Sequence, residues 1–543
     1  MMLGIAPIGS LPLSTLPEPS ARLEGRAAFT PGYKAVSAAL IGSARLVVNA
    51  DNRLFAATED FISRTSDRIP SRLFAGTVRQ ALRFTRSLLG GGAFSAYTVG
   101  LGEMILNNAS GEYDHLIGTH AVDGRRVTVK LGGAGDAYDS FGVIFDGQST
   151  GWHVDDAELI VDLRDFGYQM EVPASPNTYA GTGGVEGGTD LKGKRKPLAL
   201  GTVSNVTPAD LTATTSLVFQ VHDGPVAAIP AVYVRAAKLA LDADYPTLAA
   251  LLAAAIPQGR YATCLALGLF RLRFLLDDDR GMVTADVLGA APRGAHLSHT
   301  AEIVRHLAEA TAKVSRINAA SFARVAALQP APVGLYVEPG SEVTVAELCA
   351  RLMRGIGGWV GFRRAGDLEV GILTAPSGDP KASFGDVEII RINRETLPDA
   401  IDPPAWRYRI GYALNWTVQD GDRLADGITD ERRAWLREAW RIAEASSDRV
   451  KVNHPLAQDP PMAEAYFRDE ADARAEARRW LNLYRSSRSL YRATLKTQPF
   501  GLDLGDVIRL TYPRWDLADG KALRIVSLDE DTENNVVEVV AYG

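Results

Sequence analysis

The chain has 543 residues, 58 Lys+Arg against 65 Asp+Glu, a net charge of −7, 46% hydrophobic residues and two Cys. That length predicts about three or four domains, and ordinary apolar and charged fractions exclude collagen-like, largely disordered and disulfide-stapled chains. The mild acidity argues against a general nucleic-acid binder, although the positive charge is lopsided, at 47 Arg to 11 Lys.

Residues 1–28 read as an extended arm. Met1 to Ser20 is apolar but broken by Pro7, Pro12, Pro17 and Pro19, without the basic start of a secretory signal, so no export is expected. Residues 29–222 are short strand-like runs between glycine turns, among them Val127–Leu131, Gly142–Phe145 and Glu158–Leu163, the spacing of a sandwich or barrel. Charge switches inside this stretch. Residues 45–86 carry eight Arg against four acids, and residues 87–171 carry thirteen acids against four basic residues.

Residues 223–400 are mixed. A short helix follows Asp244-Tyr245-Pro246, with Leu248, Leu251, Leu252 and Ala255 on one face. Strands near Phe270–Leu276 and Val283–Leu288 flank a turn at Asp277–Gly281, and a helix covers about Ala301–Lys313. Thr344-Val345-Ala346-Glu347 is a capping box opening another helix, which ends at Gly357-Gly358. A hairpin then joins Trp359–Phe362 to Leu368–Leu373 through Ala365-Gly366-Asp367.

Residues 401–543 open with Pro403-Pro404 and the strand Trp406–Tyr412. A helical insertion at about 425–487 follows, with helices near 430–445 and 463–485, and four strands close the chain. No fixed-period repeat appears, which disfavours propellers and solenoids. The longest helix-like apolar run, Thr247 to Ile256, is about half what a bilayer requires.

Chemistry-bearing motifs are weak. Gly188–Lys194 matches GxxxxGK, but Arg195-Lys196-Pro197 opposes the helix a phosphate cradle needs and no Ser/Thr follows the Lys, so a mobile or clamped loop is expected. Asp420-Gly421-Asp422-Arg423-Leu424 lacks the later oxygen ligands of a calcium loop. His296, His299 and His306 lack zinc-ligand spacing and are expected on a solvated helix face. Cys264 and Cys349 are too few for a disulfide framework or a thiolate cluster, and Cys349 sits at helical spacing as a small core residue. No GxSxG elbow occurs. No catalytic, cofactor-binding or metal residue is nominated, and a structural or interaction protein is expected rather than an enzyme.

Several stretches together resemble the hub proteins of long-tailed phages and related gene-transfer particles. They are Gly102–Asp114, Asp123–Val127, Ile144–Gly147, Pro176–Gly184, Lys196–Gly201, Tyr408–Tyr412 with Asn415–Gln419, and Leu502–Pro513. The resemblance implies an α+β, mainly β fold, with two β-barrel-like tail-tube-type domains and α+β domains between them. It implies a homotrimeric ring that continues the tail tube, adapts sixfold to threefold symmetry and surrounds the DNA path at the tail tip of a virion. Implied partners are a distal tail protein ring or the tube, tip or fibre proteins, and cell-wall-degrading tail proteins that supply the chemistry this chain lacks. DNA would pass without specific binding. On this reading the trimer's −21 places acids toward the lumen and Arg at subunit contacts, with 45–86 the first candidate. Two alternatives are a tail-tip enzyme cleaving envelope glycan with Asp277–Asp279 or Asp155-Asp156, and a six-copy ring joining tube to hub.

Overall fold

The computed structural model describes residues 40–47, 53–90, 93–133, 135–211, 217–276, 279, 282–399, 401–486, 488–496 and 501–543. The expected arm at 1–28 lies outside them.

Strands from both ends of the chain build one 13-stranded sheet. From one edge it runs Arg53–Ala57, Leu40–Val47, Arg126–Gly133, Gly142–Asp155, Glu158–Arg164, Leu101–Asn107 and Val78–Ser87. It continues without a break into Lys521–Asp531, Val536–Tyr542, Leu490–Leu495 and, at the other edge, Ile389–Glu395. Val507–Leu510 and Ala382–Phe384 branch from Lys521–Asp531. Alternation drives these strands. In Glu158–Arg164, Leu159, Val161 and Leu163 are buried and the residues between them are not, the period of a sheet covered on one face.

The fold is mainly β, as expected, but the two strand sets are not separate barrels. Among the described residues no sheet closes. Leu40–Val47 curls back against Val78–Ser87, while the far side of Val78–Ser87 is taken by Lys521–Asp531. Each set keeps its own apolar core, one around Phe84, Met104, Phe145 and Val161, the other around Tyr491, Ile508, Ile525 and Val539.

Between the sets lie two five-stranded sheets, which share a core around Val203, Phe219, Val232 and Phe270. The largest core gathers the helices Thr300–His306, Ala319–Leu328, Val345–Gly355 and Glu470–Tyr484 over the strands Gly358–Phe362, Leu368–Ile372 and Arg407–Tyr412. These sheets cut across the divisions drawn from composition. Leu198–Val206 pairs with Val283–Ala290 and Gly334–Val337, on the far side of residue 222. Ile389–Glu395 pairs with Leu490–Leu495, on the far side of residue 400.

Local signals were realised closely. Thr344 Oγ1 accepts from Glu347 N at 3.2 Å, and Thr344 N donates to the Glu347 carboxylate at 3.0 Å. The hairpin pairs Gly358–Phe362 with Leu368–Ile372, turning at Gly366 with φ +86°. Two expectations changed. The helix expected at 430–445 stops at Arg437, and Arg441–Ser446 is a strand paired with Arg407–Tyr412. Ala443 and Ala445 bury in period two while Ile442 stays exposed, so pairing overrides the helical propensity of Ala, Glu and Arg. The strands Leu269–Leu272 and Val283–Ala290 form no hairpin, because they belong to the two different five-stranded sheets.

Candidate functional site

The feature with no counterpart in local sequence is the seam where the two strand sets meet. Its register pairs Ser87 with Ser527, Arg86 with Leu528, Thr85 with Asp529, Phe84 with Glu530 and Arg83 with Asp531. Directly opposed residues share a face, so the register defines rows that cross the seam. One row is Asp162, Glu103, Arg83, Asp531; the next is Arg164, Leu101, Thr85, Asp529, Glu538, Thr494, Arg391. These residues are exposed or partly exposed.

The face is therefore a polar plane, acid-rich with Arg interleaved. Arg79 pairs with Glu533 at 3.0 Å and with Glu158. Arg83 lies 3.8 Å from Glu103 and 4.0 Å from Asp529. Arg492 bonds Glu395 and Glu538, which hold its guanidinium charge more firmly than usual. Thr85 Oγ1 donates to Asp529 at 2.9 Å. Each such exposed pair contributes about 0–1 kcal/mol. Two Arg of the 45–86 stretch, Arg79 and Arg83, thus sit among the acids on one face.

The reverse side of the seam buries charge. Arg86 is 2% exposed and lies 2.5 Å from Asp503. Arg363 approaches the same carboxylate at 3.4 Å, and Arg364 bonds Glu530. Lys381 holds Asp506 at 2.9 Å. This cluster joins the first strand set through Arg86, the central hairpin through Arg363 and Arg364, and the second set through Asp503, Asp506 and Glu530. Burial opposes ionisation of Asp503, but Arg86, Arg363 and Arg364 outweigh it and hold the carboxyl below its usual range. Burial raises Asp506. Burial, reinforced by Asp503, raises Glu369 well above a normal carboxyl. Glu369 lines a cavity of about 700 Å³ with Trp359, Lys381, Asp503, Asp506 and Arg524. Removing one partner from a buried pair costs about 3–5 kcal/mol, so the buried side dominates the joint.

The residues singled out from sequence fall elsewhere. Gly188–Lys194 is clamped: Tyr179 N donates to Lys194 O and Gly193 N to Tyr179 O, each at 2.9 Å, while Lys196 holds Glu186 at 2.8 Å. The strand Leu198–Val206 follows this loop, in place of a phosphate-binding helix. Asp155 and Asp156 are exposed at a hairpin tip. Asp279 lies 3.9 Å from Arg235; Asp277 and Asp278 lie outside the described residues. Asp420 accepts from Gly421 N and pairs with Arg437 at 2.8 Å.

The histidines correct an expectation. His296, His299 and His306 are partly buried rather than solvated. Burial depresses His296 and His306, and the unremarked His222 is pushed down to about 4 by burial. No group of three or more metal-ligating side chains occurs among the described residues. Cys264 and Cys349 are fully buried, and burial raises both thiols. Among the described residues no helix is long and apolar enough to cross a membrane.

No family model and no curated protein matches the sequence. Among solved structures, the fold overlaps a tail protein of Neisseria meningitidis MC58 at a TM-score of 0.40 and 9% identity, over 93% of this chain and 96% of that one. A chain of the virion of a native gene transfer agent particle overlaps at 0.41 and 15% identity, over 65% of this chain and 84% of that one. Prophage tail protein gp18 of Listeria monocytogenes EGD-e overlaps at 0.38 and 8% identity, over 93% and 94%.

Proposed function

We propose that this chain is the structural hub of a phage-type tail tip. Three copies form a ring that continues the tail tube, adapts sixfold to threefold symmetry and surrounds the DNA path. The observation that carries the reading is the continuous sheet in which strand sets from residues 40–164 and 382–542 lie side by side. Two sets per chain and three chains supply six modules to meet a sixfold tube. The sheet ends, Arg53–Ala57 and Ile389–Glu395, become the contacts between copies, a head-to-tail arrangement that closes when the rotation allows.

The polar plane faces the lumen on this reading. Its carboxylates repel the phosphate backbone, and Arg79, Arg83 and Arg492 are already engaged by acids, so DNA finds few open donors to grip. The role is non-catalytic, in the virion tail tip, after assembly in the bacterial host cytoplasm. A distal ring or tube lies on one face of the hub, and tip, fibre or wall-degrading proteins lie on the other. Copy number in isolated particles tests the reading: three copies support the hub, whereas six would assign the chain to the ring joining tube to hub.

A glycan-cleaving enzyme is the second reading, and one observation favours it. Glu369 and Asp503 line the same cavity of about 700 Å³, and burial raises the Glu369 carboxyl well above its ordinary range while neighbouring Arg side chains hold Asp503 below its own; a split between carboxyls is how acid and base roles are set. Release of sugar from purified cell wall that vanished in Glu369→Gln would establish it.

A further inference from the structure

A second cavity, of about 400 Å³, is aromatic and is separated from the charged one by Trp359, which lines both. Its walls are Phe94, Trp359, Tyr408, Trp480 and Tyr484. Tyr408 meets Trp480 edge-on at 5.8 Å and Tyr484 at 5.9 Å. Two polar atoms on these walls stand out. Tyr408 Oη and Trp359 Nε1 are buried, on side chains 6% exposed, and neither has a hydrogen-bond partner among the described residues. The Trp480 indole, by contrast, donates to Glu476. At the rim stands Arg354, exposed and without an ion pair among the described residues.

An aromatic groove with unmet donors and one basic rim residue fits a proline-rich peptide. Such a segment is extended before it binds, so it loses little freedom on docking. Its prolines bring no N–H that an apolar wall would strand, while its carbonyls accept from Tyr and Trp donors. This chain carries such a segment. Residues 1–20 hold four prolines, and Glu18, flanked by Pro17 and Pro19, is their one charged side chain. Twenty residues separate Pro19 from Leu40, where the first strand begins, enough to span up to about 65 Å.

We propose that the groove is the docking site of the chain's own N-terminal arm, with Leu16-Pro17-Glu18-Pro19 against the aromatic walls and Glu18 on Arg354. Carbonyls of this segment take the Tyr408 hydroxyl and the Trp359 indole N–H. The inference goes beyond the hub reading and does not depend on it, because a docked arm is equally compatible with a six-copy ring or an enzyme.

The test is chymotryptic cleavage of the full-length protein after Leu13, timed under native conditions. Arg354→Glu and the double change Pro17→Ala/Pro19→Ala should each speed cleavage about tenfold, the size expected when one anchoring contact is lost. Combining Glu18→Arg with Arg354→Glu should restore the slow rate, an outcome that a general loosening of the fold would not produce. Tyr408→Phe should speed cleavage while leaving thermal melting unchanged, because only the hydroxyl is removed. Equal cleavage rates in the wild type and all four variants would overturn the proposal. So would failure of the charge-swapped pair to restore protection.

Discussion

The two sides of the seam carry charge in different ways. On the polar plane, Arg83 lies 3.8–4.0 Å from Glu103 and Asp529, with the Arg83 side chain 53% exposed. On the reverse side, Arg86, three residues further on, is 2% exposed and 2.5 Å from Asp503. Water and salt screen the first contacts, whereas the second cluster is shielded from both. The difference teaches that the polar plane is free to present charge to whatever passes over it, while the buried cluster fixes how the strand sets sit together.

Breaking the buried side should have the largest effect. Arg86→Met removes the nearest cation from Asp503 and leaves it Arg363 and Arg364, and a loss of about 3 kcal/mol is expected, the low end of what breaking a buried pair costs. Calorimetric melting of this variant beside Arg86→Met/Asp503→Leu checks it. The double variant should recover part of the loss, since replacing both charges by apolar groups is far less costly than stranding one.

A smaller effect of opposite sign is expected at Glu369. Its folded pKa lies above the unfolded value of 4.5, so its stabilising contribution is complete below that value and fades as pH rises toward the folded pKa. Glu369→Gln should therefore melt higher than wild type at pH 8, with the gap closing near pH 4. Melting curves across that range read the difference, and a gap independent of pH would remove Glu369 from the cluster's ionisation.

The smallest effect belongs to the polar plane. Arg83→Ala should cost under about 1 kcal/mol, and the cost should disappear in high salt. A salt-independent loss as large as that of Arg86→Met would erase the contrast between the two sides.

Much of the fold was legible where signals are local. The Thr344–Glu347 capping box, the Gly366 turn and the helix after Pro246 each rest on a few neighbouring residues, and each formed. Arg441–Ser446 was misread because its composition favours helix while its partner strand lies some thirty residues away in sequence. The seam was illegible for the same reason on a larger scale, since Arg83–Ser87 meets Ser527–Asp531 across more than four hundred residues. One trace was present. Leu82, Phe84 and Arg86 share a period-two phase, which places Arg86 inward with two core residues, and a charged residue in such a phase requires a buried partner. Asp503 carried no matching signal, because its Leu504-Gly505 loop becomes buried only through the long-range pairing.

A reconstruction of the particle's tail tip tests the hub reading most directly. The account predicts three copies around the axis, six strand sets in one ring, and Glu103, Asp162, Asp529 and Glu538 turned toward the lumen. Six copies, or this acidic plane turned away from the axis, would contradict it.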